Sequence, residues 1–180
     1  MIVILMGVCG VGKTAVGEAL AHELGVPFRD ADEFHSPENK CKMSNGIPLT
    51  DEDRLPWLQS INKYILEVMH SGSSAVVTCS ALKRKYRHIL LENCTNTPEV
   101  SDIVRIVYLR GSEGVIQERL SKRKGHFMPP ALLKSQLMTL EEPDSAEPFC
   151  ITVNTDNKTV AVIVKEITIL FHDLRQNLLI

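Results

Sequence analysis

The sequence predicts an α/β fold in which a parallel five-stranded sheet has helices on both faces. One observation carries the fold class and a second the number of domains. Short β-rich runs alternate with longer segments of helical periodicity along the whole chain, which is typical of parallel strands joined by helical crossovers. The chain has 180 residues, of which 44% are apolar and 23% charged, and this length and composition predict a single domain over residues 1–180.

The predicted strands are short runs of apolar and β-branched residues. The run 75–79 is almost continuously apolar, as expected of a strand that helices cover on both faces. Because the carboxyl ends of parallel strands meet at one edge of a sheet, ligands are expected to bind at that edge. In chain order, the predicted strands cover residues 2–6, 28–30, 75–79, 103–109 and 149–153.

The predicted helices follow from apolar residues spaced three and four apart, and from residues that begin or end a helix. The first helix covers residues 15–24 and is ended by Gly25 and Pro27. Ser36 begins the second, which Asn45 and Gly46 stop. Thr50 or Asp51 caps a third helix, whose apolar face contains Leu55, Leu58, Ile61, Ile65 and Val68. Three more helices cover about 82–92, 113–120 and 130 or 131 to about 140. The apolar face of a last helix contains Val160, Ile163, Val164, Ile167, Leu170 and Leu174.

Net charge and cysteine spacing exclude several classes of protein. A net charge of −2 gives no general attraction to nucleic acid or to an anionic membrane. No apolar run approaches the length of a membrane span, and the first run lacks a basic leader, so we interpret it as a core strand rather than a signal peptide. The cysteines are an odd number without a C-x-x-C pair, which argues against a zinc site or a disulfide framework and predicts a reducing, cytoplasmic location. They are Cys9, Cys41, Cys79, Cys94 and Cys150.

The first predicted strand and helix flank a glycine-rich turn with the pattern G-x-x-x-x-G-K-[ST]. In this context the pattern predicts a phosphate loop, whose backbone N–H groups surround the oxygens of a nucleotide polyphosphate at a helix N-terminus. Lys13 is expected to reach the β- and γ-phosphates, and Thr14 to give its hydroxyl to Mg²⁺. The alternative is a glycine-rich turn that binds nothing. The residues predicted to contact the nucleotide are Gly7, Val8, Cys9, Gly10, Val11, Gly12, Lys13 and Thr14.

Two carboxylates follow the second predicted strand, in Asp30-Ala31-Asp32, and His35 comes three residues later. Carboxylates beside a phosphate loop suit Mg²⁺ binding and activation of an acceptor hydroxyl. We therefore predict Asp32 as the general base and as a metal-associated carboxylate, and Asp30 as supporting structure. Turn formation and helix capping are the alternative roles, and a lone histidine such as His35 is more often a packed or surface residue.

Two groups of cationic residues lie near the same predicted edge. Arg54 stands among three acidic residues at the start of the third helix, and the helix dipole alone explains these acids. Among them the Arg54 guanidinium has a defined orientation and can bind a carboxylate-bearing substrate. Lys83 follows the third strand, and its spacing from Arg87 places both on one helix face. The alternative is a solvated basic helix, which we expect for Arg84 and Lys85.

The most basic segment of the chain runs from Arg119 to His126 and leads into Pro129 and Pro130. Its glycine and the two prolines are unfavourable for a continuous helix. A mobile cationic segment fits a lid that closes over the transferring phosphates and excludes water. The alternative is a solvated, charged helix end. The predicted lid covers residues from about 121 to 131.

Together these residues resemble the gluconate kinase family of small P-loop kinases, which is related in plan to shikimate and nucleoside-monophosphate kinases. The phosphate loop alone is shared by many NTPases, whereas D-x-D-R-x-P-W-L, S-A-L-K and K-G-H-F in this order are far more specific. The resemblance covers the chain up to about Leu140 or Pro143. It is carried by residues 6–14, 30–35, 42–43, 46–49, 51–58, 79–83, 86–87 and 124–130.

The resemblance implies the three-layer P-loop kinase fold with a mobile lid, and a homodimer that phosphorylates D-gluconate at its 6-hydroxyl with ATP and Mg²⁺. The substrate-binding residues that it implies are Asp32, His35, Arg54, Lys83, Arg87, Lys124 and His126. Arg119 and Arg123 are the implied candidates for nucleotide or transition-state contacts, beside Lys13 and Asp32 as catalytic residues.

The phosphate loop departs from the usual family pattern, with Cys9, Val11 and Thr14 where serines are commoner. Thr14 keeps the hydroxyl and the other two contribute mainly backbone, so ATP binding is expected to survive. Two other functions stay open. One is a kinase of the same plan that acts on shikimate, a nucleotide or another small hydroxylated metabolite. The other is a non-catalytic module that binds a nucleotide and signals to a partner.

Overall fold

The structure of the protein is a computed structural model that describes residues 1–94, 104–122 and 130–177. Its strands are β1 (Ile2–Met6), β2 (Phe28–Asp30), β3 (Ala75–Thr78), β4 (Val104–Arg110) and β5 (Cys150–Asn154). They form one sheet in the order β2-β3-β1-β4-β5, and every pairing is parallel. The predicted parallel five-stranded sheet is therefore confirmed.

Alternate residues of the central strand β1 point to opposite faces of the sheet. Ile2, Ile4 and Met6 belong to one hydrophobic core, and Val3 and Leu5 belong to the other. All five side chains are fully buried. This burial on both sides explains why the strand is an unbroken apolar run rather than an alternating one.

Helices cover both faces of the sheet, so the predicted three layers are confirmed. In the described residues, two helices pack on the face that contains Ile2, Ile4 and Met6, and four pack on the face that contains Val3 and Leu5. The first of these layers contains α3 (Asp51–His70) and α4 (Arg84–Leu90). The second contains α1 (Lys13–Leu24), α5 (Glu113–Ser121), α6 (Pro130–Thr139) and α7 (Val160–Asn177). Between β2 and α3, a short 3₁₀ helix at Ala31–Phe34 precedes α2 (Pro37–Ser44).

Several helix ends differ from the sequence prediction by one or two residues. The helix α1 begins at Lys13, two residues early, because Gly12 in a left-handed conformation is its N-cap. The helix α4 is shorter than predicted, because Lys83 has an extended backbone and serves as its N-cap. Thr50 caps α3 in a reciprocal capping box with Asp53, which decides between the two predicted caps.

The predicted buried face of α3 is confirmed at Leu58, Ile61 and Ile65, but the first turn differs from the prediction. Leu55 was expected in the core but is 43% exposed, whereas Trp57 is buried beside Leu58 and Ile61. The apolar spacing allowed both arrangements, and the large indole buries more surface than a leucine in the first turns. Val160, predicted on the buried face of α7, is similarly 37% exposed at the first residue of that helix.

The carboxyl ends of β1, β2 and β3 lie next to one another and lead into segments 7–14, 31–35 and 79–83. The Gly7 N–H donates to the Ser80 carbonyl oxygen at 3.3 Å, which joins the first of these segments to the third. Most of the predicted lid, residues 123–129, lies outside the described residues. Within the described ranges, no helix has the length and apolar character needed to cross a membrane.

Candidate active site

The phosphate loop joins β1 to α1 and needs glycine for two different reasons. Gly7 has φ of +140°, and a Cβ there would lie 2.7 Å from the Leu109 carbonyl oxygen, so a larger residue would collide with backbone. Gly12 has φ of +111°, but a Cβ there would meet no atom within 4 Å. The loop thus leaves open space at the N-terminus of α1, where helix N–H groups attract an anion.

Lys13 folds back over this loop. Its Nζ donates to the Gly7 carbonyl oxygen at 2.9 Å and to that of Val8 at 3.1 Å. Burial lowers the pKa of the Lys13 ammonium, against the opposing charges of groups that include Asp32 and Asp30. An anion bound in the loop would supply more of the opposite charge that a buried ammonium needs.

Two side chains from distant parts of the sequence also hold the loop. Arg119 of α5 donates to the Val11 carbonyl oxygen at 2.9 Å and to Thr155 Oγ1 at 3.0 Å. Gln136 of α6 accepts the Cys9 N–H at 2.7 Å through its Oε1. The predicted nucleotide residue Arg119 therefore lies against the loop, although these contacts do not test its role in catalysis.

Asp30, the last residue of β2, makes the contacts expected of supporting structure and also lies beside Thr14. Thr14 Oγ1 donates to Asp30 Oδ2 at 3.4 Å, and the Asp32 N–H donates to Asp30 Oδ1 at 3.1 Å. Asp30 is thus the carboxylate that contacts the predicted metal ligand Thr14. The Thr14 hydroxyl beside the Asp30 carboxylate, with the charge of Asp30 acting on Asp32, is an oxygen-donor set that fits Mg²⁺. Asp30 therefore joins Thr14 and Asp32 as a candidate around the metal.

Asp32 has the environment of a potential proton acceptor. Partial desolvation, followed by the negative charge of Asp30, raises the pKa of Asp32, and Lys13 and Lys40 oppose this shift. Its side chain nevertheless keeps 83% of its surface accessible. The carboxylate is therefore open to a ligand and close enough to Lys13 to interact with its charge.

His35 connects Asp32 to the opposite side of the site. Its ring stacks on Trp57 with centroids 4.3 Å apart, and its Nε2 lies 3.9 Å from Asp32 Oδ1. The side chain is only 4% exposed. Desolvation, together with the positive charges of Arg54 and Lys40, lowers the pKa of His35 to about 4. The imidazole is consequently neutral at neutral pH.

Arg54 lies in the first turn of α3 and faces the same region. Its Nη1 donates to the Leu49 carbonyl oxygen at 2.5 Å and to that of Thr50 at 3.5 Å. The guanidinium carbon is 6.0 Å from the centre of the Tyr86 ring. Both bonds use one nitrogen of a group with five N–H donors, and the charge of Arg54 acts directly on His35.

Lys83 forms an ion pair with an acidic residue that sequence analysis attributed to the helix dipole. Its Nζ lies 2.9 Å from Asp51 Oδ1, and Lys85 Nζ lies 2.5 Å from Asp51 Oδ2. The Tyr86 hydroxyl also donates to this carboxylate. Hydrogen bonds from Lys85, Tyr86 and Lys83 lower the pKa of Asp51. Lys85 is therefore part of this cluster and not simply a solvated lysine.

Arg87 does not face the open side of the site. It is completely buried, donates to both carboxylate oxygens of Glu147 at 2.7 and 2.6 Å, and reaches the Ala81 carbonyl oxygen at 3.1 Å. The prediction of direct substrate contact by Arg87 is not supported by this placement. The prediction that Lys83 and Arg87 share a helix face is wrong, because Lys83 precedes the helix. Arg84 is not merely solvated either, since it also pairs with Glu147.

Two residues that hold the site, Gln136 and Glu147, were not predicted from the sequence. A glutamine inside the apolar stripe of α6 could have indicated a role for Gln136, whereas no sequence pattern points to Glu147. Among the predicted site residues, Arg123, Lys124 and His126 lie outside the described ranges, so their roles stay predictions.

Comparison with known proteins identifies the family. The family model described as Shikimate kinase matches residues 9–170. The probable gluconokinase of Xenopus tropicalis is 46% identical over 175 residues, which are 93% of this chain and 91% of that protein. The thermoresistant gluconokinase of Escherichia coli is 38% identical over 169 residues, 94% of this chain and 93% of that protein.

A solved structure agrees with these sequence matches. The crystal structure of a gluconokinase from Sinorhizobium meliloti is 44% identical, with a TM-score of 0.83, and the match covers 98% of this chain and 94% of that chain. The chain belongs to the gluconokinase family. Membership of the gluconokinase family confirms the resemblance that the motif blocks predicted, and it confirms the P-loop kinase fold.

Proposed function

We propose that the protein is a gluconokinase, which transfers the γ-phosphoryl group of ATP to the 6-hydroxyl of D-gluconate and yields 6-phospho-D-gluconate and ADP. Besides family membership, one observation carries the proposal. Asp32 interacts electrostatically with Lys13 of the phosphate loop and lies 3.9 Å from His35, which in turn is under the charge of Arg54. A nucleotide side and an acceptor side thus meet at one accessible carboxylate.

On the nucleotide side, the N-terminus of α1 and the loop amides other than that of Cys9, which bonds Gln136, bind the polyphosphate. Lys13 leaves the carbonyl oxygens of Gly7 and Val8 and offsets negative charge on the β- and γ-phosphates. Thr14, Asp30 and Asp32 would hold Mg²⁺, which supplies charge neutralisation to the phosphate oxygens. Phosphoryl transfer depends mostly on positioning and on electrostatic stabilisation, and these residues provide both.

On the acceptor side, gluconate presents one carboxylate and a row of hydroxyl groups. Arg54 binds the carboxylate with its unused N–H donors. Lys83, held by Asp51, is a second cationic contact, and the neutral His35 hydrogen-bonds a hydroxyl. Asp32 orients the 6-hydroxyl and accepts its proton as the oxygen attacks phosphorus.

Several further expectations belong to this proposal. The chain acts as a homodimer in the cytoplasm and as one domain. Arg119 contacts the nucleotide or the transition state, and the segment from about 121 to 131 acts as a lid. Within that segment, Arg123 also contacts the nucleotide or the transition state, and Lys124 and His126 contact the substrate.

An acceptor panel tests the proposal against its alternatives. ADP release from MgATP is measured with D-gluconate, shikimate, nucleoside monophosphates or no acceptor. We expect rapid release with gluconate and only background release with the others. Turnover with shikimate or a nucleotide instead would identify a related kinase. Tight ATP binding without transfer to any acceptor would support a nucleotide-sensing module.

A further inference from the structure

One side chain holds the phosphate loop from outside the motif. The Oε1 of Gln136 accepts the Cys9 backbone N–H at 2.7 Å, and the two residues are 127 positions apart in sequence. Cys9 is the third residue of the loop, between two glycines with positive φ, Gly7 and Gly10. Because glycine loses more conformational freedom on folding than any other residue, an outside contact at this point restricts the most flexible half of the loop.

Gln136 is itself fixed by the core. It lies in the apolar stripe of α6, three residues after Leu133 and just before Leu137. Leu133 is buried and shares a hydrophobic core with Val8 of the phosphate loop. A glutamine in such a stripe loses hydration, and this loss costs free energy unless its amide group is hydrogen-bonded. Packing of α6 against the loop thus places the amide oxygen of Gln136 at the Cys9 N–H.

Glu141, two residues after α6, anchors the end of that helix at the acceptor side. The Glu141 N–H donates to the Leu82 carbonyl oxygen at 2.8 Å, and a Glu141 carboxylate oxygen accepts the Arg84 N–H at 2.6 Å. These bonds reach the loop that carries Lys83. The helix is therefore attached to the phosphate loop on one side and to the segment after β3 on the other.

Three side chains bond the backbone of the loop in the described residues: Lys13, Arg119 and Gln136. The first two are cations. The proposed function assigns Lys13 to the phosphates and Arg119 to the nucleotide or the transition state, so their present contacts are lost or weakened during the reaction. Gln136 is neutral, and its bonded oxygen does not attract an anion. Its contact with Cys9 is thus the one that can persist in the nucleotide complex.

We propose that Gln136 is a positioning residue for ATP. Its amide oxygen keeps the first half of the phosphate loop in the conformation that receives the polyphosphate, so that less order has to be created on binding. This inference rests on the proposed function only in taking ATP as the ligand of the loop. It predicts an effect on ATP affinity and none on gluconate affinity.

The test measures MgATP binding by calorimetry on the full chain without acceptor. Gln136→Met removes the hydrogen bond but fits the apolar stripe, and we expect the Kd for ATP to rise about 3- to 10-fold. The KM for gluconate stays unchanged, and the Cys9 amide proton resonance shifts and exchanges faster with solvent. Gln117→Met is the matched control, because Gln117 is exposed on α5 and bonds only Glu113 among the contacts described.

The outcomes separate this inference from the proposed function. Unchanged ATP affinity in Gln136→Met, with normal binding by the wild type, overturns the inference alone. Tighter ATP binding in the variant also overturns it, since Gln136 would then be a plug that the nucleotide displaces. Failure of the wild type to bind ATP overturns the proposed function. If the Met variant does not fold, Gln136→Asn, which keeps the amide but shortens its reach, carries the same expectation.

Discussion

His35 is enclosed by Trp57 and lies under the positive charges of Arg54 and Lys40, so it resists protonation. The neutral ring suits a residue that is packed against an indole and bonds a substrate hydroxyl. A protonated His35 would add a third cation to this region without solvent to stabilise it. The same burial that keeps it neutral makes the stability of the fold depend on pH.

The folded protein should lose stability as pH falls from 6.5 to 4. The pKa of His35 is about 4 in the folded state and near 6.5 when unfolded, so within this window the unfolded chain binds the extra proton. Each pH unit removes up to about 1.4 kcal/mol, or roughly 3 kcal/mol in total. Urea unfolding of wild type and His35→Phe, from pH 4 to 7, measures this difference.

The control for this experiment is His22→Gln, which removes an exposed histidine. We expect its pH dependence to match the wild type, whereas His35→Phe should have a flatter profile. Equal slopes for wild type and His35→Phe would show that the pKa of His35 is the same in the folded and unfolded states, and would contradict the lowered value.

Arg54 is expected to determine affinity for the acceptor. Arg54→Ala should raise the KM for gluconate about 10- to 100-fold, as for the loss of hydrogen bonds to a charged group. The KM for ATP should change little, because the phosphate loop is separate. Steady-state kinetics with each substrate varied measures the split. Arg29→Ala, which removes an exposed arginine paired with Glu33, is the control, and a larger effect on ATP than on gluconate would contradict the clamp.

The helix α4 is attached to the segment before β5 through Arg87 and Glu147. Burial alone would raise the pKa of Glu147, but the hydrogen bonds and charges of Arg87 and Arg84 outweigh it and lower that pKa. Arg87 in turn donates to the carbonyl oxygen of Ala81, which has φ of +44°. The pair thus stabilises an unusual backbone conformation two residues before Lys83.

Removal of one partner should destabilise the fold strongly. Glu147→Ala leaves the buried guanidinium of Arg87 unpaired, with an expected loss of about 3 to 5 kcal/mol in the free energy of unfolding. Urea denaturation measures this loss. The double variant Arg87→Met, Glu147→Met should recover most of it, and Glu118→Gln, which breaks an exposed pair with Lys122, should have almost no effect. A small effect of Glu147→Ala would mean that solvent reaches Arg87.

Sequence patterns predicted the elements better than the contacts between them. All five strands and the phosphate loop were found, because apolar runs and glycine spacing are local properties. The orientation of Arg87 could not be found, since its partner Glu147 lies 60 residues away in a loop without a motif. Asp51 was misread for a related reason: the dipole of α3 already explains an acid at its start, so nothing pointed to Lys83.

At the level of the whole molecule, the parallel sheet assembles the site. The strand order β2-β3-β1 places the ends of these strands next to one another, so residues far apart in sequence meet at one edge. Neither the strand order nor the meeting of Asp32 with Lys13 follows from local patterns. Membership of the gluconokinase family agrees with this placement of the site at the strand ends. The proposed reaction requires Asp32 to act where the nucleotide side and the acceptor side of the site join.

Asp32→Asn tests that claim most directly. The amide keeps the shape of the side chain but does not accept the proton of the 6-hydroxyl. Glu33→Gln is the matched control, because Glu33 is an adjacent exposed carboxylate paired with Arg29. We predict that Asp32→Asn lowers kcat about 10²- to 10⁴-fold while the folded state and the binding of MgATP and gluconate are retained. Phosphorylation of gluconate by Asp32→Asn at the rate of wild type and Glu33→Gln would contradict the account.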